Sequence, residues 1–271
     1  MKEQSLQKRL SFLWLSVLLV LTLLELIYQK SIIDRADNVF ASPSLEFWFG
    51  TDALGRDLFW RIVAASMNSL LIGISGLLFA VVIAFVWGGV AGWFQGWVDR
   101  FFMRLSEVLL ALPGFLLAAI FIFWAQQFKY FQFNSLLLIV LALGLAQWMT
   151  LARVLRAQVI GVKVEKFIEA AHALGAKDFH IFIRHIMPHV SSTWLVFILL
   201  QLPSFLMFEG FLSFVGIGVQ APEASWGLLM QEGWRYLATY PHLVLGPSLF
   251  LFLTVYSIYQ VAPQNKIREL Q

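Results

Sequence analysis

The chain has 271 residues, of which 60% are hydrophobic and 13% charged, with no cysteine and a formal net charge of +3. An ordinary soluble domain carries about 45–50% apolar and about 25% charged residues, and a soluble fold of this length cannot hide such an excess. Disorder, collagen-like repeats and a secreted disulfide scaffold are excluded, which leaves a polytopic membrane protein.

Six uncharged or nearly uncharged segments are long enough to cross a bilayer core about 30 Å thick. The first covers about Leu10–Tyr28, with Glu25 near its end. Lys8 and Arg9 precede it as they would a signal peptide. Its run is long enough to span, however, and no small-x-small site follows closely, so it is read as a retained helix. Between Arg61 and Asp99 the chain is uncharged over 37 residues, read as one helix of about Ser66–Trp87 with interfacial flanks. The third span is expected over about Glu107–Phe128, the fourth over about Asn134–Val154 and the fifth from about Val190 into Gly210–Gly218. The sixth covers about His242–Val261. A closed barrel would show alternating segments of about ten residues, whereas these runs are apolar on all sides. The fold class is all-α, with six transmembrane helices.

Lys and Arg collect on the cytoplasmic side of membrane proteins. With the N-terminus inside, 13 of the 19 basic residues fall there, and both termini are expected to be cytoplasmic. The expected division is a first helix and outer loop over 1–65, a five-helix core over 66–265 and a cytoplasmic tail over 266–271. Two loops are too long for plain connections. The outer one, about Gln29–Ala65, contains Gly50, Thr51, Asp52, Gly55, Arg56 and Asp57, with Arg61 four residues on. Thr-Asp before a turn glycine is capping chemistry, and Asp57 with Arg61 is spaced for an i,i+4 pair. This segment reads either as a charged helix start or as a docking surface on the outer face.

The inner loop, 153–189, holds six of the inside cations: Arg153, Arg156, Lys163, Lys166, Lys177 and Arg184. Within it Glu165–Leu174 is expected to be helical, with Phe167, Ile168, Ala171 and Leu174 on one apolar face. Gly175 is a natural helix stop, and small Ala170 and Ala171 permit a close partner. A second helical piece is expected from Asp178 to just before Pro188. Such an elbow suits either a protein partner or lipid headgroups.

No G-x-x-x-x-G-K-[ST] phosphate loop occurs, so energy must come from an ion gradient or from another subunit. The basic residues lack the aromatic interleaving of a nucleic-acid surface. Ionisable groups inside spans are costly and become functional suspects. Glu209 in the fifth span is such a group, read as facing a translocation path or as a packing carboxyl. Glu25 and Glu107 lie near helix ends and are read as interfacial. His185 and His189 have i,i+4 spacing but no evident third ligand, so no metal site is expected. Gly73-Ile74-Ser75-Gly76 has the form used by an intramembrane serine protease, with His242 as the available base. Small residues in membrane helices more commonly serve close packing, and no catalytic residue is assigned.

Glu169-Ala170-Ala171, then Gly175 after three residues and Pro188 after further spacing, resembles the EAA signature of importer-type ABC transporter permeases. His185 and Met187 stand where that pattern has Ile and Leu. Phe49–Asp57 is similar to the F-G-T-D-x-L-G-R-D segment of the dipeptide/oligopeptide/nickel permease family. Asp99-Arg100 with Met103-Arg104, and Glu209 through Leu212–Gln220 and Pro222 to Trp226-Gly227, fit the same family. The likeness covers about Phe49–Tyr236. Tyr259–Pro263 departs from the family's usual C-terminal G-D-G run.

This resemblance implies a type I importer permease (MetI-like) fold in the bacterial cytoplasmic membrane. It implies a non-catalytic subunit that forms half of a pathway for peptides. Glu169, Ala170, Ala171, Leu174, Gly175 and Pro188 would couple it to a separate ATPase. The implied partners are a homologous permease subunit as heterodimer, two ATP-binding subunits, an extracytoplasmic substrate-binding protein and membrane lipid. No cofactor would be bound by this chain, ATP and Mg residing on the partner. An ion-coupled secondary transporter and a protease using Ser75 are the rival readings.

Overall fold

The computed structural model describes residues 2–28, 38–127 and 135–263. The expected tail at 266–271 and the loop cations Lys30, Arg35 and Lys129 lie outside the described residues. Apart from one isolated antiparallel bridge between Thr51 and Asp57, regular structure among the described residues is helical. In order these are α1 (Lys2–Tyr28), α2 (Leu58–Phe94), α3 (Gly96–Leu110), α4 (Gly114–Gln126) and α5 (Ser135–Lys163). There follow α6 (Lys166–Ala173), α7 (Asp178–Ile181), a π-helical turn at Phe182–Ile186, α8 (Met187–Val215), α9 (Trp226–Trp234) and α10 (His242–Val261). Five helices are long and apolar enough to cross a membrane, or six if the bent pair of α3 and α4 is one span.

Boundaries differ from the sequence expectation for identifiable reasons. The second helix is not limited to Ser66–Trp87 but runs unbroken for 37 residues, about 55 Å at 1.5 Å per residue. Gly88 and Gly92 lie where α2 meets α5: a Cβ on Gly88 would collide with the Ala152 carbonyl, and one on Gly92 would crowd Val159. Glycines at these positions suit either close packing or an interfacial bend, and here they serve packing. The helix stops at Gln95, whose φ is 53°. The third span is not one straight helix over Glu107–Phe128. It breaks at Ala111–Pro113, and α3 and α4 meet at 91°. Proline cannot donate to the preceding turn and excludes helical conformation from the residue before it.

The inner segment 153–189 is helical over most of its length. Arg153, Arg156 and Lys163 belong to the last turns of α5. Nor does a helix end before Pro188. The chain continues from α7 through the π-helical turn into α8, with Pro188 the second residue of α8. The wider turn changes the bonding register where proline supplies no N–H, so the helix passes through it.

By contact the chain divides into two compact units. The first gathers the described residues up to 75, with 125–127, 135–140 and 202–261. Its core is Leu18, Leu58, Phe59, Ile62, Val63, Ala65, Trp226, Leu229, Leu243 and Phe250. There Trp14 on α1 donates its indole N–H to Thr254 on α10 at 3.2 Å and packs edge-on against Phe250. Glu25, expected at the interface, is buried on the same helical face as Leu18 and Thr22. The second unit gathers 76–124 and 141–201, with residues 262 and 263. Its core includes Ala142, Leu143, Met149, Leu151, Leu155 and Val159 on α5, with Ile168, Ile181 and Ile186 from the elbow.

Candidate functional site

In the first unit, the segment before α2 folds around Asp52. Its Oδ1 accepts the backbone N–H groups of Leu54 at 2.8 Å and Arg56 at 2.9 Å, closing the turn that Gly55 completes. Its Oδ2 accepts from the Arg56 Nε at 2.7 Å and from an Arg61 guanidinium nitrogen at 2.7 Å. Thr51 Oγ1 accepts from the Ala41 N–H at 2.8 Å and donates to the Asn38 carbonyl at 2.9 Å. Gly50 has φ 76°, and a Cβ there would collide with the Ala41 carbonyl, so no other residue fits this turn.

The expected Asp57–Arg61 pair is not formed. Asp57 instead caps α2, its Oδ1 accepting the Phe59 N–H at 2.8 Å. A helix start leaves N–H groups unsatisfied, and the carboxylate answers that demand first. Arg61 bridges Asp52 and Glu232 of α9, the latter at 2.9 Å, and its side chain is only 8% exposed. Helix α9 itself is not foreseen as an element. Its signal is Ser225, whose Oγ accepts the Leu228 N–H at 3.3 Å as an N-cap. Arg56, Arg61, Glu232, Arg235 and Tyr236 line a cavity of about 340 Å³ beside this network.

Glu209 is completely buried on α8 in the same unit. Its Oε1 accepts the Ser213 hydroxyl at 2.8 Å, one turn on, and the Ser69 and Ser225 hydroxyls lie around the carboxyl. The same Ser213 oxygen accepts the Val219 N–H at 3.0 Å, and Ser69 accepts the Trp226 N–H at 3.1 Å. Serines thus tie the α8 carboxyl to the start of α9. Gly73 of the G-x-S-G sequence packs against Leu206, and the His242 ring lies beside Gly50 and Tyr240.

In the second unit, α6 buries Ile168 and Ala171 but not the whole expected face. Phe167 is exposed and stacks on His189, while Leu174 is 89% exposed. A helix of eight residues has only two turns, enough for two inward positions. Gly175 has φ 79°; its N–H donates to the His172 carbonyl at 2.9 Å, and that of Ala176 to the Ala171 carbonyl at 3.1 Å. This is the left-handed stop that the glycine promises. Glu169 and Ala170 are exposed, and Glu169 makes no hydrogen bond or ion pair among the described residues. Phe179, at the far end of the elbow, is 77% exposed, and Pro188 is exposed too. No group of three or more metal-ligating residues occurs among the described residues.

Residues 84–269 match the family model described as "Binding-protein-dependent transport system inner membrane component". The chain is 36% identical over 218 residues to the oligopeptide transport system permease protein OppC of Haemophilus influenzae, covering 80% of this chain and 68% of that one. It is 32% identical to OppC of Bacillus subtilis and 34% identical to the glutathione transport system permease protein GsiD of Escherichia coli. Each of those alignments covers 81% of this chain and 70% of the relative. Among solved structures, the inward-facing MetNI methionine ABC transporter superposes with a TM-score of 0.61 at 16% identity, over 78% of this chain and 97% of that one. The fold is therefore that of a MetI-like importer permease, and neither the secondary-transporter nor the protease reading gains support. With five or six spans, this helical architecture and these relatives, the chain belongs to the family of inner-membrane permease components of binding-protein-dependent ABC transport systems.

Proposed function

We propose that this permease forms half of a peptide pathway and receives the ATPase stroke through the elbow at Lys166–Phe179. One observation carries the reading: Glu169, Ala170, Leu174 and Phe179 present charge, a small residue and two large apolar side chains outward, exposed among the described residues. Two large apolar side chains beside a small residue on one tight turn offer the kind of anchor that a groove on another protein accepts. Gly175 sets the angle between α6 and α7, and Pro188 marks where the elbow joins α8. Both the buried Ile168 and Ala171 and the aromatic pair of Trp93 and Phe182, with ring centroids 5.9 Å apart, seat the elbow on its own unit. A push on the elbow is thereby passed to α2 and α5 as a rigid displacement.

The working assembly would contain a homologous permease subunit, two ATP-binding subunits that carry ATP and Mg, and an extracytoplasmic substrate-binding protein. Peptides are the substrate class, since relatives with this level of identity are named for oligopeptides and for glutathione, itself a short peptide. The segment Gly50–Arg61 and the adjoining cavity, on the outer side by the Lys and Arg count, would meet the binding protein. Glu209 would act by holding α9 to α8 beside that entrance.

The test is reconstitution of the assembled transporter in vesicles. Glu169→Lys and Gly175→Val are expected to leave membrane insertion intact while ATP hydrolysis no longer drives uptake. Wild-type uptake by both variants overturns the coupling assignment.

A further inference from the structure

Helix α3 has two faces fixed by its neighbours in the second unit. Inward, the Asp99 carboxylate holds the Arg156 guanidinium of α5. The Trp87 indole N–H donates to the Phe102 carbonyl at 3.0 Å with the two rings 4.5 Å apart. Buried Ser106 donates to that same carbonyl at 3.0 Å. The Asp99–Arg156 and Trp87–Phe102 contacts come from α5 and α2 and set the rotation of α3 about its axis, while the Ser106 bond closes a turn within α3. Outward, Trp97, Phe101, Leu105 and Val108 form one apolar stripe, with Trp97 71% and Phe101 53% exposed and their rings stacked at 5.8 Å. Arg100 and Arg104 run beside the stripe, together with the single acid Glu107, all exposed.

The direction of this stripe follows from the 91° bend into α4. That helix is apolar throughout and leaves Leu116, Ile120 and Phe123 exposed, as a segment within hydrocarbon does. With α4 directed into the hydrocarbon, a helix at a right angle to it lies along the membrane plane. An in-plane helix with an aromatic-rich apolar stripe and flanking cations has the composition of an interfacial anchor. Arginine matches phosphate geometry better than any other side chain. Basic residues at this turn place it at the cytoplasmic leaflet, whose surface is anionic.

We infer that α3 lies in the cytoplasmic leaflet interface and binds anionic phospholipid headgroups through Arg100 and Arg104, with Trp97, Phe101, Leu105 and Val108 seated among the acyl chains. This does not rest on the coupling role of the elbow. The anchor fixes the depth of α3, and through Asp99–Arg156 it ties the end of α5 to the membrane surface.

Because the chain lacks cysteine, nitroxide labels can be placed singly by Trp97→Cys, Phe101→Cys, Leu105→Cys and Val108→Cys. The host is the assembled transporter, with its other subunits cysteine-free, in vesicles of phosphatidylcholine and phosphatidylglycerol. Labels on the stripe are expected to meet dissolved oxygen more often than a water-soluble nickel chelate, and Arg100→Cys to meet the chelate more than its neighbours do. In parallel, phosphatidylglycerol retained by the purified complex is expected to fall about fivefold for each of Arg100→Gln and Arg104→Gln. Arg100→Lys with Arg104→Lys should recover most of it. Stripe labels open chiefly to the chelate would mean a water-filled path. Labels shielded from both reagents would mean a protein partner. Either result, or unchanged lipid retention, overturns the proposal.

Discussion

The turn before α2 and the elbow after α6 look alike on paper: each sets a glycine among acidic, basic and small residues. Their polar groups are used in opposite ways. Around Asp52 each carboxylate oxygen is engaged twice, and Arg61 is buried between Asp52 and Glu232. At the elbow Glu169 has no partner among the described residues, and Leu174 and Phe179 stand in the open. The first motif builds the protein that carries it. The second leaves its charged and apolar groups turned outward. Equal density of motif residues in a sequence therefore does not mean equal contribution to folding.

Breaking the Asp52 network should have the largest effect. Asp52→Ala takes from buried Arg61 one of its two carboxylate partners, leaving Glu232, and strands two backbone N–H groups at once; loss of one member of a buried pair costs about 3–5 kcal/mol. A large drop in the thermal midpoint of the purified complex is the expected reading. An unchanged midpoint would move this segment into the same class as the elbow.

Glu209→Ala comes next. It leaves the Ser213 hydroxyl without its acceptor in a fully buried site, at a cost of about 1–3 kcal/mol. The same melting experiment should show Glu209→Gln closer to wild type, since an acceptor oxygen remains. If Glu209→Gln melts normally but loses transport, the carboxyl serves the pathway and not the packing of α9.

Gly175→Val should cost about 1–2 kcal/mol, the ordinary penalty for a left-handed residue with a Cβ. Nothing lies within 4 Å of a Cβ built at this position, so the cost is backbone conformation and not collision. Gly175→Asn, which tolerates that conformation better, should melt above Gly175→Val and transport more.

The smallest expected change in stability is that of Leu174→Ala, within about 0.5 kcal/mol, because an exposed side chain loses little on truncation. Uptake should nonetheless fall while ATP hydrolysis continues. A destabilised Leu174→Ala with normal uptake would erase the contrast between the two motifs.

Much of the fold was legible before any coordinates. The apolar runs located the membrane helices, and the glycine at 175 located the end of α6. The spacing from Glu169 to Pro188 pointed to the family. Three features were not legible, each because one local signal was outweighed by another. The glycines at 88 and 92 read equally as packing or as an interfacial bend, and only their contact with α5 selects packing. Pro188 reads as a stop, yet the π-helical turn carries the chain past it. Asp57 and Arg61 have the spacing of a pair, yet the helix start claims the aspartate and Asp52 with Glu232 claims the arginine.

Sequence by itself determined what depends on composition and local conformation: membrane residence, helical class, the number of crossings within one and the left-handed stop at Gly175. A bilayer leaves the backbone no alternative to bonding itself, so hydrophobic length alone is decisive there. Tertiary structure decided which charges meet, which face of α3 turns outward and which motif residues stay without partners. Those outcomes depend on groups far apart in the chain, such as Arg61 with Glu232 or Asp99 with Arg156, competing for the same few partners in space. No local pattern records who wins that competition.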